Sequence, residues 1–444
     1  MRKVDKTDVA TLFEYKPYEY EISKEDCFID SPENPKLYLT EETIKELEKL
    51  NENKKFLEIG RKRIKPLNYV GVVKVGSITI QIFPKLFRDE AFLGEKASIA
   101  ARNLLKMLSF TETLQVKDID YAGLATKKLD FFEIFVYIFA KNLLSVLKSK
   151  QNMEYIRRRD ELRFVKGKID FKKYSNPARL HTIPCIYRER SLDNTINRTL
   201  KYTSYLMSRI VESSDNFRLL KTIINVLDPV KLAPVSLSEV KSITFNRLNK
   251  DFKPFIDICR VFLENSTLTL QASEVETFSM LIPMEKLFEE FIAGVIRQNK
   301  ESFFGPDVSV SVQEPIGCLA RREDGREEFS LIPDIVITKN AKKYIIDTKY
   351  KLLDAEDRKL GVSQQDMYQM YAYATKLNAD RVLLLYPDLE GELKGKWYFE
   401  FPGKRTELLV RTVNLSFDLC SDKGWGEFIE ALRKALECLV ESQS

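Results

Sequence analysis

Leu331-Ile332-Pro333-Asp334-Ile335-Val336-Ile337 and Tyr344-Ile345-Ile346-Asp347-Thr348-Lys349-Tyr350 are two apolar runs. Each carries one acid, and the second adds a lysine two residues beyond it. Asn340-Ala341 punctuates the stretch between them, so the pair reads as an antiparallel hairpin. Side chains two apart on a strand share a face, which puts Asp347 and Lys349 together and turns Thr348 the other way. With the turn at Asn340-Ala341, Asp334 falls opposite Asp347, the Cβ atoms about 5 Å apart. Two carboxylates that close repel unless a cation lies between them. Lys349 offers one positive charge. A hard divalent ion suits the oxygen set better: Mg²⁺, with Mn²⁺ as a substitute. Such a site can activate water and stabilise charge at a phosphate, with the lysine positioning or helping to deprotonate the nucleophile. The alternative is a buried ion triplet with no chemistry, but buried charges are costly to keep for stability alone.

The flanks fit a catalytic hairpin. Met284, Leu287, Phe288, Phe291, Ile292, Val295 and Ile296 form a helical stripe with Glu285 and Glu289 at its edge, while Lys286 and Glu290 face away. A glutamate at such an edge can reach a neighbouring sheet, although an ordinary boundary residue would look the same. Downstream, Gln365 to Lys376 reads as a helix with Met367, Met370, Tyr371 and Ala374 inward. Gln369 and Tyr373 are neighbours one turn apart and, with Lys351, are candidate DNA contacts. Arg381-Val382-Leu383-Leu384-Leu385-Tyr386 follows as a strand.

Upstream the patterns change. Tyr69-Val70-Gly71-Val72-Val73-Lys74-Val75 and Ile78-Thr79-Ile80-Gln81-Ile82 are β-branched runs separated at Gly76-Ser77, another hairpin. A helix near residues 40–50 begins at the cap Thr40-Glu41-Glu42-Thr43. Residues 93–150 and 191–265 are helical by period. Between them, Lys148 to Lys173 holds ten Lys/Arg and four Asp/Glu. Such a run is a solvated face or a patch for phosphates or an acidic protein partner. The expected organisation is α+β with three domains. A β-rich, barrel-like domain spans 1–95, a helical region with the basic segment spans 96–275, and an α/β domain carrying the Asp334/Asp347/Lys349 hairpin spans 276–444.

Composition removes other classes. The 444 residues are 44% hydrophobic and 31% charged, which excludes a disordered chain, and the net charge of +5 is too small to identify a nucleic-acid partner by itself. The six cysteines include no pair closer than 18 residues, which argues for reduced core thiols over zinc knuckles. His181, the one histidine, lies in a basic stretch with no nucleophile elbow, against Ser-His-Asp chemistry. Neither an apolar signal core nor a run of roughly 18 apolar residues is found, so a cytoplasmic, membrane-free protein is expected. Gly71-Val72-Val73-Lys74-Val75-Gly76-Ser77-Ile78 lacks the Gly-Lys-Ser/Thr ending of a phosphate loop, and no nucleotide is expected on this chain's own motif.

Helix, Pro-Asp strand, Asp-x-Lys strand, helix and strand is the order of the PD-(D/E)XK nucleases. Tyr69-Val70-Gly71-Val72-Val73 leading to Ile82-Phe83-Pro84-Lys85-Leu86 resembles the N-terminal signature of the McrC family, the nuclease subunits of McrBC modified-cytosine restriction systems. Gly167-Lys168-Ile169-Asp170-Phe171, Asp193 to Leu200 and Leu287-Phe288-Glu289 resemble other McrC segments, and the likeness runs over about residues 50–420. It implies an Mg²⁺-dependent endonuclease with Asp334, Asp347, Lys349 and Glu289 catalytic. Asp334, Asp347, Glu289 and the Thr348 backbone carbonyl would be the metal ligands. It also implies docking on an McrB-like hexameric AAA+ GTPase, stimulation of its GTP hydrolysis, and cleavage of double-stranded DNA bearing modified cytosine. Pairing of nuclease subunits within the complex is a further expectation. Arg157, Arg158, Arg159, Lys166 and Lys168 are the candidate partner contacts. Two other readings are a catalytically minor activator of the GTPase and a nuclease of the same fold in another defence or repair complex.

Overall fold

The computed structural model describes residues 6–29, 31, 35–87, 93–111, 131–174, 181–271, 274–388 and 393–440. The chain forms two compact units. One takes in the described residues up to Thr111 with those from Ser279 onward, and the other is Phe132–Phe278.

The motif hairpin sets the first unit. Ile335–Lys339 and Lys342–Thr348 pair antiparallel, Ile335 against Ile346 and Lys339 against Lys342, in the register read from the sequence. Asn340 and Ala341 close it with φ of 50° and 62°, the left-handed pair that matches strand twist in a two-residue turn. The hairpin lies inside a six-stranded mixed sheet ordered Ser309–Val312, Ile335–Lys339, Lys342–Thr348, Arg381–Asp388, Lys404–Asn414, Lys394–Phe401. Helix Gln364–Leu377 crosses over between Lys342–Thr348 and Arg381–Asp388, which run parallel. It buries Met370, Tyr373 and Ala374 on Ile345, Val382, Leu384, Leu408 and Val410, whereas Tyr371, expected inward, is 45% exposed. Helices Met284–Gln298 and Asp422–Val440 meet elsewhere in the unit, where the rings of Phe291 and Phe428 stack at 5.2 Å.

The N-terminal part of this unit is β-rich, but no closed barrel forms among the described residues. One sheet has six short strands, ordered Lys6–Thr7, Cys27–Ile29, Lys36–Leu39, Tyr18–Ile22, Arg63–Pro66, Leu57–Ile59. In the other, Tyr69–Val75 lies between Glu274–Pro283 and Ile78–Phe83, and Val9–Phe13 joins Ile78–Phe83. The barrel-like expectation fails for a physical reason. Strands of two to five residues are too short to curl round a lumen, and two open sheets can share one core instead. That core takes Tyr20, Leu37, Leu39 and Ile64 from the first sheet and Leu12, Val73, Ile80 and Ile82 from the second, with Leu47 of helix Glu41–Asn53. Gly71 allows a close contact here: its φ is 138°, and a Cβ would lie 2.0 Å from the Met280 carbonyl oxygen.

The second unit contains helices Thr195–Ser208, Ser214–Val226 and Lys253–Asn265, and most of helix Phe131–Ser149. It also contains a three-stranded sheet that the helical reading did not foresee, ordered Glu154–Leu162, Ile183–Ser191, Lys168–Ile169. Helical periodicity missed it because Glu154–Leu162 is mostly charged and exposed, and Ile183–Ser191 starts apolar and ends in the charged run Arg188-Glu189-Arg190.

Candidate active site

The carboxyl end of Lys342–Thr348 is where the sheet changes character, antiparallel to one neighbour and parallel to the other. Open α/β sheets place their sites outside the carboxyl ends of strands. Four of the sequence-selected residues meet there.

Asp347 is fully buried. Its Oδ2 lies 2.6 Å from Lys349 Nζ, and its Oδ1 is buried without a hydrogen-bond partner. Burial, then the nearby Asp334 charge, pushes the Asp347 carboxyl up to about 7. Asp334 does not meet Asp347 squarely. Strand pairing ends at Ile335 and Ile346, the Asp334 carbonyl accepts from the Gln313 amide, and its Oδ2 accepts from the Thr348 amide at 2.7 Å and hydroxyl at 2.8 Å. Thr348 therefore touches the site through its N–H and hydroxyl.

Glu289 reaches the cluster from helix Met284–Gln298. Gln313 Nε2 donates to its Oε1. Burial, then the Asp334 charge, lifts its carboxyl to about 7. Glu285, one turn earlier, is exposed and its charge bears on Glu14 and Tyr15, away from the acid pair. For Lys349, burial works against the charged form, but Asp347 and then Asp334 outweigh it, so its pKa is raised.

Gln369 and Tyr373 are joined to the lysine. Lys349 Nζ donates to Gln369 Oε1 at 3.0 Å, Gln369 Nε2 donates to the Tyr373 hydroxyl at 2.9 Å, and that hydroxyl donates to the Ile332 carbonyl at 2.9 Å. This relay runs from the ammonium through the crossover helix to the segment preceding Asp334. It fixes a flexible side chain with three donors to one direction. Lys351 is exposed, and its Nζ donates to the Gly361 carbonyl at 2.5 Å.

The donor set suits a hard, hydrated cation. No three His, Cys, Asp or Glu side chains among the described residues form a ready-made cage. Mg²⁺ does not require one: it is typically held by one or two carboxylates and keeps several waters. A buried carboxylate oxygen with no partner, beside two other acids, is the kind of ligand it takes.

The partner-contact candidates lie on the exposed sheet of the second unit. Residues directly opposite in a pair share a face, and Arg157 pairs with Arg188, Tyr155 with Arg190 and Arg159 with Ile186. Arg157, Arg159, Arg188 and Arg190 therefore occupy one face, all exposed, and none has an ion-pair partner among the described residues. The other face is neutralised: Arg158 pairs with Glu189 at 2.9 Å, Lys166 with Glu189 at 3.2 Å, and Tyr187 donates to Asp160 at 2.7 Å. Lys168 pairs in register with Ile186. Arg188 and Arg190 escaped the sequence reading. Their signal was the alternation Tyr187-Arg188-Glu189-Arg190, which becomes a charged face only once the strand register is known.

Fold and site together define a mixed α/β protein with two aspartates, a glutamate and a lysine gathered at one sheet end. The family described as McrBC 5-methylcytosine restriction system component matches residues 64–387, and the chain belongs to it. No curated protein matches the chain. Among solved structures, it resembles a chain of the tetradecameric assembly of Thermococcus gammatolerans McrB AAA+ hexamers with bound McrC. The TM-score is 0.65 at 21% identity, covering 96% of this chain and 99% of that one. A chain of the Thermococcus gammatolerans McrBC complex, solved by cryo-EM, gives a TM-score of 0.50 at 23% identity over 66% and 88%. No described helix is long and apolar enough to cross a membrane.

Proposed function

We propose that this chain is the nuclease subunit of a modification-dependent restriction complex, of the PD-(D/E)XK type. It would cut double-stranded DNA with Mg²⁺, or Mn²⁺ in its place, and dock on a hexameric AAA+ GTPase that recognises modified cytosine. The observation that carries the reading is the convergence of Asp347, Asp334, Glu289 and Lys349 at the end of one strand. Family membership and the McrC-bound assembly of the solved relative support the choice of partner.

When bound, Mg²⁺ supplies positive charge beside the scissile phosphate, and Asp347 Oδ1 with Asp334 would hold it. Lys349 brings an ammonium to the same end of the strand, where it orients the attacking water and meets charge developing on the phosphate. Gln369 and Tyr373 hold that ammonium in place before DNA arrives, so its direction is not lost to side-chain freedom. The carboxyl of Glu289, lifted to about 7 by burial and then by the Asp334 charge, can hold or release a proton beside the reacting centre.

The arginine face of the second unit is the proposed contact with the GTPase. Like charges directly opposite on paired strands are destabilising, so Arg157 facing Arg188 costs folding energy that an acidic partner or a phosphate would offset.

The test uses the chain with its GTPase partner, GTP, Mg²⁺ and modified plasmid. Asp334→Ala, Asp347→Ala and Lys349→Ala should each abolish cleavage while GTPase stimulation persists. Glu289→Ala should reduce it. The chain alone should cut poorly. Cleavage by Lys349→Ala within a few-fold of wild type would end the proposal.

A further inference from the structure

Three buried polar side chains lie just past the catalytic lysine and take no part in the chemistry above. Glu14 follows strand Val9–Phe13 and has no exposed surface. Lys85 follows strand Ile78–Phe83 and is 7% exposed. Both converge on Tyr350, the residue after Lys349. Tyr350 donates its hydroxyl to Glu14 Oε2 at 2.8 Å, and the Lys85 amide donates to the same oxygen at 3.1 Å. Lys85 Nζ donates to the Tyr350 carbonyl at 2.9 Å and lies 4.2 Å from the centre of its ring.

The backbone around Lys349 is thereby held from both sides. Its own amide donates to the Leu385 carbonyl at 2.9 Å, which ties it to the sheet, while Tyr350 is held at its carbonyl, ring and hydroxyl. Stability alone is a poor reason for this arrangement. Burying an ammonium is costly before any contact is credited, and burial lifts the Glu14 carboxyl to about 7. An apolar pair of similar volume would fill the same space at less cost. What these polar groups add is direction, because only a donor at Lys85 and an acceptor at Glu14 can fix both ends of Tyr350.

We infer that Glu14 and Lys85 are positioning residues of the nuclease site, clamping Tyr350 so that the neighbouring Lys349 ammonium is held against Asp347. The inference rests on the nuclease reading of that site. It makes the N-terminal strands part of the cutting machinery.

The experiment measures plasmid cleavage by the full chain with its GTPase partner, GTP and Mg²⁺, comparing Lys85→Met, Lys85→Arg, Glu14→Gln and Tyr350→Phe, with Lys349→Ala as reference. Outer residues that orient catalytic groups typically contribute 10- to 100-fold. Lys85→Met should lower kcat by about that factor with KM for DNA within about 2-fold, since no contact with DNA is removed. GTPase stimulation should remain at the wild-type level. Lys85→Arg, which keeps a cationic donor, should recover most of the loss. A merely structural role would lower cleavage and stimulation together and would not split kcat from KM. If Lys85→Met does not fold, Tyr350→Phe and Glu14→Gln carry the same criterion. Wild-type kcat in the folded variants beside an inactive Lys349→Ala would overturn the clamp alone. Wild-type cleavage by Lys349→Ala would overturn the nuclease reading, and the clamp with it.

Discussion

Lys349→Met keeps the length of the side chain and removes its charge, which separates the lysine's proposed catalytic role from its structural one. Loss of one positioned donor at developing charge typically costs 10²–10³ in rate, about 3–4 kcal/mol of barrier. Stability should respond differently. Breaking a buried ion pair costs about 3–5 kcal/mol when the remaining charge has no escape. Asp347 has one: its carboxyl is already lifted to about 7, so without the ammonium it takes up a proton. A carboxyl whose folded pKa exceeds its unfolded value weakens the fold as pH rises toward the folded pKa, and Lys349→Met moves that pKa higher still. The variant should therefore unfold in urea almost like wild type at pH 6. It should fall behind at pH 8, where Asp347 is charged in wild type beside its ammonium. Adding Asp347→Asn should restore stability at pH 8 without restoring cleavage. Urea melts at both pH values and plasmid cleavage with the GTPase partner measure the two effects. Cleavage within a few-fold of wild type refutes the catalytic role. A stability loss equal at pH 6 and pH 8 refutes the proton escape.

Tyr373→Phe removes the hydroxyl that joins Gln369 to the Ile332 carbonyl, and cleavage should fall about 10-fold, equivalent to about 1.4 kcal/mol, with little change in melting temperature. Arg157→Glu turns its like-charge pair with Arg188 into an opposite-charge pair, so thermal stability should hold or rise while GTPase stimulation is lost; unchanged stimulation removes this face from the interface. Gly71→Ala forces a Cβ to within 2.0 Å of the Met280 carbonyl oxygen, and a large fall in soluble yield or melting temperature should follow. Asp257 is buried with Lys253 and Arg260 no closer than 3.7 and 3.5 Å. Burial, only partly offset by those cations, lifts its carboxyl to about 6. Its contribution to stability is fullest below about pH 4 and is lost as pH rises to about 6, so Asp257→Asn should flatten the wild-type decline in melting temperature across that interval.

The motif hairpin was legible because its information is local. An even side-chain period and a two-residue turn fix which residues share a face, and Ile335 does pair with Ile346. What the pattern could not supply was the bend at Pro333-Asp334, where pairing stops and the Asp334 carboxylate turns to the Thr348 amide and hydroxyl. The relay from Lys349 through Gln369 and Tyr373 was half visible. Spacing paired the amide with the phenol, but whether they faced DNA or the lysine depended on the crossover helix packing over that strand. Glu14, Lys85 and Tyr350 were invisible as a group because Tyr350 lies 336 positions from Glu14 and 265 from Lys85, and only the fold of the first unit brings them together.

Charge clusters show the same limit most sharply. In sequence, Arg157-Arg158-Arg159 is three equal cations, with Lys166 and Lys168 close behind. A strand divides them: Arg158 turns to Glu189 and is neutralised, while Arg157 and Arg159 turn to the face that already holds Arg188 and Arg190. Composition counts all of these charges alike, yet only those on the unpaired face can gain much from a new acidic neighbour. Lys349 and Lys85 illustrate the converse. Neither belongs to a basic run, and each is decided by the acceptors it meets after folding. A charge becomes informative when its partner, or its lack of one, is known. That is why a single lysine two residues after an aspartate says more about a candidate site than ten cations scattered from Lys148 to Lys173.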